Sequence, residues 1–259
     1  MAIFKKKELE GDPMAQDMIP VSLSDPMRFV CGPGNVCFNE CCRDLNQVLT
    51  PYDVLRLKNH LQMPSRTFLQ TYTTRRVGPT SGLPVVTFKF NPSAGYACPF
   101  VTATGCSVYP DRPASCRLYP LARAISRSRD SGEINEYYAF IREDHCKGVE
   151  EGNPQSIGQW LAGQEVEPHN RNNDKLMELI HLKNSILPGP LTDDQSNAVF
   201  LALYDLDEFR RGVVSEELLG GMPVPRPLME NMGASDEALL NLGLKWTRYQ
   251  LFGIDMNDS

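Results

Sequence analysis

The spacing of apolar and polar positions changes character partway along the chain. Toward the C-terminus it is the spacing of amphipathic helices. Ser156 can cap a helix carrying Ile157, Trp160 and Leu161, and a second helix holds Leu176, Leu179 and Ile180. Thr192 and Gln195 have the sequence of a capping box, which predicts one longer helix through Val199, Leu203, Leu206 and Phe209. Gly220-Gly221 and the run Pro223, Pro225, Pro227 predict a loop, after which Ser235 can cap a closing helix with Leu239, Leu240, Leu242, Leu244, Trp246 and Leu251.

The N-terminal half is more broken. Residues 1–28 read as a loose lead-in, interrupted by Gly11-Asp12-Pro13 and Asp25-Pro26. A helix is signalled by Thr50 as N-cap, Pro51 at its first position, Asp53 in its first turn, and Val54, Leu57 and Leu61 on one face. Pro64-Ser65 restarts a shorter helical piece through Phe68, Leu69 and Tyr72. The turn Gly78 to Gly82 follows, and the alternation around Val86, Phe88 and Phe90 predicts a strand. Asp111 can cap a short helix that starts at Arg112-Pro113, carries Cys116 and Arg117, and ends at Pro120. Leu121 to Ser126 and Ile134 to Ile141 can pair as a hairpin around Asp130-Ser131-Gly132, returning Cys146 toward the earlier cysteines. These elements predict an α+β fold, mainly helical. A metal-organised cysteine region with a few short strands occupies residues 29–150, and a helical region packed on it occupies 151–259.

Composition narrows the function. The 259 residues are 41% hydrophobic, enough for a core, and carry a formal charge of −6 with Lys and Arg scattered, which excludes the basic stripe of a nucleic-acid binder. The basic start Met1 to Lys7 leads into Glu8, Glu10 and Asp12 instead of an apolar run, and no segment approaches the roughly 18 apolar residues of a membrane span. The expectation is a cytoplasmic protein with neither a membrane nor a nucleic-acid partner. Its oligomeric state is left open by the sequence.

In that compartment thiols stay reduced, so eight cysteines point to metal or redox chemistry over disulfides. They fall into two groups, Cys31, Cys37, Cys41, Cys42 and Cys98, Cys106, Cys116, Cys146. The chain has no C-x2-C pair, which disfavours a zinc ribbon or finger, and Asp44 stands where a radical S-adenosylmethionine motif needs its third cysteine. On an extended backbone the adjacent Cys41 and Cys42 would point to opposite sides, suiting a cluster or two nearby centres better than one small ion. Thiolate ligation alone fits either an iron–sulfur cluster, such as 4Fe–4S, or zinc. Arg112 and Arg117 are candidates to hydrogen-bond the thiolates, or else to pair with Asp111 or nearby Glu residues. His145 beside Cys146 reads as a surface histidine before it reads as a further ligand, and His60, His169 and His181 as structural.

The run C-P-F, G-C-S-V-Y, D-R-P-A-S-C-R-L-Y-P from Cys98 to Pro120, with Cys37, Cys41, Cys42, Arg43 and Leu49 to Asp53 upstream, resembles the signature of the YkgJ-like cysteine-cluster family. This is the CxxCxxCC group of zinc- or iron-chelating proteins. The resemblance covers about residues 29 to 148, with the first cluster here spaced C-x5-C-x3-C-C. It implies metal binding in redox, metal handling or protein modification. Because the family includes bacterial flagellin lysine N-methylases, it also implies a protein lysine N-methyltransferase using S-adenosylmethionine as an alternative. A third possibility is an interaction protein whose metal is purely structural.

Overall fold

A computed structural model describes residues 18–43, 48–128, 133–149, 151–215, 217–218 and 235–256. It is α+β, with short antiparallel sheets in the N-terminal half and helices in the C-terminal half. The chain divides into two compact units, each assembled from separate stretches. The first comprises Met1–Leu45, Val101–Ser107 and Ala114–Glu167, and the second Asn46–Phe100, Val108–Pro113 and Pro168–Ser259.

The first unit is built on the predicted hairpin. Strand Leu121–Arg127 pairs antiparallel with Ile134–Ile141, Leu121 opposite Phe140 and Arg127 opposite Ile134. The turn at 130–132 lies outside the described residues. A third strand, Met18–Val21, joins the other edge of Ile134–Ile141, so part of the expected loose lead-in is sheet. Its four residues were too few to show a period. Gln155–Ser156 pairs with Pro26–Met27, and Ser156 and Gln159 form a capping box for the helix Ile157–Gly163. Met27, Leu121, Tyr138, Ile157, Trp160, Leu161 and Val166 make the core of this unit.

The second unit carries most of the helix. Thr50 and Asp53 close a capping box on Pro51–His60, and Ser65–Tyr72 follows. A three-stranded antiparallel sheet has Pro84–Phe88 at its centre, with Val48–Leu49 and Thr73–Val77 on its edges. Helices Glu167–Ile186, Asp193–Leu203, Leu206–Val214 and Asp236–Phe252 complete it. The capping boxes and Ser235 act as expected, with Ser235 Oγ accepting from the Ala238 N–H. The single helix expected through Phe209 is instead broken at Tyr204 and Asp205. There the buried Asp205 carboxylate accepts from Ser65 Oγ at 2.7 Å and Arg66 Nε at 3.0 Å, long-range contacts that no local pattern encodes. The Gly/Pro-rich stretch around 220–227 lies outside the described residues. Among those described, no helix is long and apolar enough to cross a membrane.

Candidate metal centre

The cysteine segment 31–43 contains no buried residue, so its shape comes from main-chain turns and polar ties. Successive turn bonds run Asn35 N–H to Gly32 O, Phe38 N–H to Asn35 O, Glu40 N–H to Cys37 O and Cys42 N–H to Asn39 O. Asn35 Oδ1 accepts from the Gly32 N–H at 2.9 Å, and its Nδ2 donates to Glu151 at 2.8 Å. Asn39, in the left-handed region at φ 71°, donates to the Thr102 carbonyl at 2.9 Å. That bond ties the segment to the small hairpin Val101–Thr102/Gly105–Cys106. A Cβ on Gly105 would lie 3.2 Å from the Phe38 ring, so the hairpin carrying Cys106 rests against the same loop.

The segment around Gly148 closes on the other side. Phe29 and Val149 form an antiparallel bridge, and the Val30 N–H donates to the Gly148 carbonyl at 3.1 Å. The backbones are so close that a Cβ on Gly148 would sit 2.1 Å from the Val30 carbonyl oxygen. Next to that contact the Lys147 N–H reaches Cys37 Sγ at 3.2 Å. Such an N–H···S bond offsets thiolate charge. Gly148 and the Lys147 amide are positions at the candidate site that the cysteine spacing does not point to. The Gly two residues after Cys146 was the available signal.

Cys31, Cys37, Cys41 and Cys146 come close enough for their charges to interact. Partial burial, then Cys41, Cys37 and Cys146, push the Cys31 thiol up to about 11, although the side chain still reaches solvent. Cys41 is also raised, first by its hydrogen bond with Cys42, then by burial and by the charges of Cys42 and Glu143. The pair lies in a 3-10 turn, Glu40–Cys42, not on extended backbone, so the two thiols meet instead of pointing apart. On this turn the adjacent cysteines do not reach to opposite sides as an extended backbone would have them do. Among the described residues, no three His, Cys, Asp or Glu side chains already stand close enough to hold a metal ion together. The thiols are neighbours, not a closed coordination shell.

The remaining sequence candidates fall as follows. Cys106 and Cys116 belong to the same unit as the four neighbours, Cys116 on the helix Ala114–Leu118, whereas Cys98 belongs to the second unit. None of the eight cysteines is in a disulfide. Arg117 is buried and donates to the Gln164 carbonyl at 2.9 Å. Arg112, in the second unit, lies 4.0 Å over the Tyr109 ring and donates to the Tyr109 carbonyl at 2.8 Å. Asp111, expected as a helix cap, accepts instead from Arg56 and pairs with His60 Nδ1 at 2.8 Å. His145 pairs with Glu143 at 3.5 Å. His169 is buried against Asp53 at 3.1 Å.

One buried group tests whether a metal fits. The Tyr119 hydroxyl oxygen is buried beside Cys146 and Glu143. Burial, then Cys146 and Glu143, push its ionisation up, so it stays a neutral donor facing Cys146. A hydroxyl donor turned toward a thiol favours the charged, ligating form of that sulfur. The donor set is soft thiolate, which suits zinc or iron.

No curated protein and no solved structure matches this chain significantly. Residues 30–147 do match a family model, described as CxxCxxCC, putative zinc- or iron-chelating domain.

Proposed function

We propose that the first unit holds one thiolate metal centre on Cys31, Cys37, Cys41 and Cys146, and that the centre is an iron–sulfur cluster serving redox or metal handling. The reading is supported by the charge interaction of Cys31 with Cys41, Cys37 and Cys146, the last brought near by the Val30–Gly148 contact from a segment more than a hundred residues away. Cys42, hydrogen-bonded to Cys41, makes the thiol set wider than one tetrahedral ion uses. That surplus, with the lack of a C-x2-C pair, favours a cluster over a lone zinc ion. The Lys147 amide and the Tyr119 hydroxyl are the donors that would lower the charge on Cys37 and Cys146 when they ligate. Cys106 and Cys116 lie in the same unit as further candidate ligands.

Metal and sulfide analysis of protein purified without oxygen, with ultraviolet-visible and EPR spectra, tests this reading. Iron with acid-labile sulfide near stoichiometry is the expected result, lost in Cys37→Ser and Cys146→Ser and retained in Cys98→Ser. Zinc without sulfide would replace the cluster with a zinc site on the same residues. A folded protein with neither metal would end the proposal.

A further inference from the structure

The second unit contains a site that the cysteine chemistry does not use. Among the described residues, strand Thr73–Val77 is the outer strand of its sheet, paired only with Pro84–Phe88. Its register is fixed at both ends, by the Lys89 N–H donating to Tyr72 O and the Gly78 N–H donating to Leu83 O, both at 2.8 Å. Antiparallel pairing alternates bonded and non-bonded positions. Thr74 and Arg76 therefore bond inward, and the main-chain N–H and C=O groups of Arg75 and Val77 face out of the sheet. Opposite Val77 stands Pro84, which has no N–H to give. Val77 is also a large apolar side chain left 66% exposed, unusual for a strand that already lacks a neighbour.

An open cleft of about 570 Å³ lies beside this edge, lined among others by Leu69, Thr73, Arg75, Asn197 and Phe200. Its charges are unequally matched. Asp205 and Glu208 on one wall are each paired with Arg66 at 3.0 Å, and Glu208 also with Arg211. Arg75 stacks 4.6 Å over the Phe200 ring, and its hydrogen bonds go to the neutral acceptors Asn197 Oδ1 at 2.8 Å and Ser196 Oγ at 2.6 Å. Partial burial disfavours its charge, with Asp193 acting at longer range in the opposite sense. A guanidinium held flat on an aromatic face, with neutral partners and donors to spare, is a receptor for a carboxylate. Arg76 on the same strand adds to the positive charge at the edge.

We propose that the Thr73–Val77 edge and its cleft dock an extended acidic peptide segment of a partner protein. The peptide adds as a strand, bonding the outward main chain of Arg75 and Val77, and lays a glutamate or aspartate on the Arg75 guanidinium. Main-chain pairing supplies the generic affinity, and Arg75, Phe200 and Val77 supply the selection at alternate positions. The site is independent of the metal centre.

The test uses the full-length protein and a fluorescein-labelled, acetylated hexapeptide alternating valine and glutamate, followed by anisotropy. Saturable binding is expected, weakening as salt is raised and falling about tenfold in Arg75→Gln, the loss of one charge-assisted contact. Val77→Pro removes an outward N–H without breaking a ladder bond and is expected to weaken binding by a similar factor, as is N-methylation of the peptide amides that face the edge. Arg75→Lys, with circular dichroism of every variant, controls for folding. No binding to the folded protein, equal binding by a valine–lysine peptide, or affinity unchanged in Arg75→Gln would each overturn the site. Loss in Arg75→Gln with no effect of N-methylation and of Val77→Pro would overturn the strand pairing.

Discussion

The two units solve the problem of holding a chain in place by different means. In the second, apolar burial does most of it. The helix Pro51–His60 buries Tyr52, Val54, Leu55 and Leu57, and Phe68, Leu203, Phe209, Leu239 and Leu240 are fully enclosed. In the first, the core is the smaller cluster around Leu121, Ile157 and Trp160, and it does not reach into the cysteine loop, where residues 31–43 bury nothing. That loop is set by turns, two asparagines and two close glycine approaches. Fixing each residue costs about 1–2 kcal/mol of chain entropy, and such a segment has little burial to offset it. On the proposed reading, a metal bond to the thiolates supplies the missing term.

The largest expected effect follows from that contrast. Removing the metal from purified protein with a chelator, under reducing and oxygen-free conditions, is expected to raise amide hydrogen exchange through residues 31–43 and 146–149 to near the unprotected rate. The helices Pro51–His60 and Asp236–Phe252 should keep their protection. Structural metals contribute on the order of 10 kcal/mol to small thiolate domains, so the difference between units should be large. Equal loss in both units, or none in the loop, would break the comparison.

A smaller effect sharpens it, because each unit contains a glycine pressed against a carbonyl. At Gly148 an added Cβ would meet Val30 O at 2.1 Å, and at Gly243 it would meet Ala202 O at 2.2 Å. Gly148→Ala is expected to destabilise by about 3 kcal/mol, the upper range for overpacking, and to lower metal content because it pries apart the segments carrying Cys31 and Cys146. Gly243→Ala should cost less, about 2 kcal/mol, since alanine regains about 1 kcal/mol of helix propensity. Its metal content should stay unchanged. Urea denaturation paired with metal analysis separates the two, and metal loss in Gly243→Ala would contradict the division.

What the sequence made legible follows the range of the forces involved. Thr50-Pro51, Ser156, Thr192/Gln195 and Ser235 announce helix starts because the cap and its target lie three residues apart. The 121–141 hairpin was equally readable from two extended runs around a turn. Strands Met18–Val21 and Thr73–Val77 were not, since short edge strands facing solvent carry no alternation. The break at Asp205 was not either, because its cause is Ser65 and Arg66 on another helix. At the site, the ligand-type residues were plain in the chain. The approach of Cys31 to Cys146 was not, because the Val30–Gly148 contact that brings them together is long-range.

The smallest effect concerns the polar side of the second unit, and it distinguishes the units by pH. Asp236 accepts from Lys58 at 2.9 Å, and it also bonds Arg210. Burial pushes its carboxyl up, but Lys58, then Asn59 and Arg210, outweigh this and hold it below the usual carboxylate value. A carboxyl depressed in the folded state binds its proton more weakly there than when unfolded. Its contribution to stability is therefore complete above the unfolded value near 3.8 and is lost as pH falls through the lower folded one. Lys58 is itself nearly enclosed, so Asp236→Asn leaves a buried ammonium with only the more distant Asp207 carboxylate at 3.4 Å. At neutral pH the variant is expected to be less stable by about 1–2 kcal/mol, and the gap should close as pH falls below about 4, where the wild-type carboxylate also takes up its proton. Denaturation of metal-free protein at pH 7 and pH 3, read from the second unit's helices, measures this without interference from proton-driven metal loss. A gap that widens in acid would mean that Asp236 is held by something other than its ion pairs.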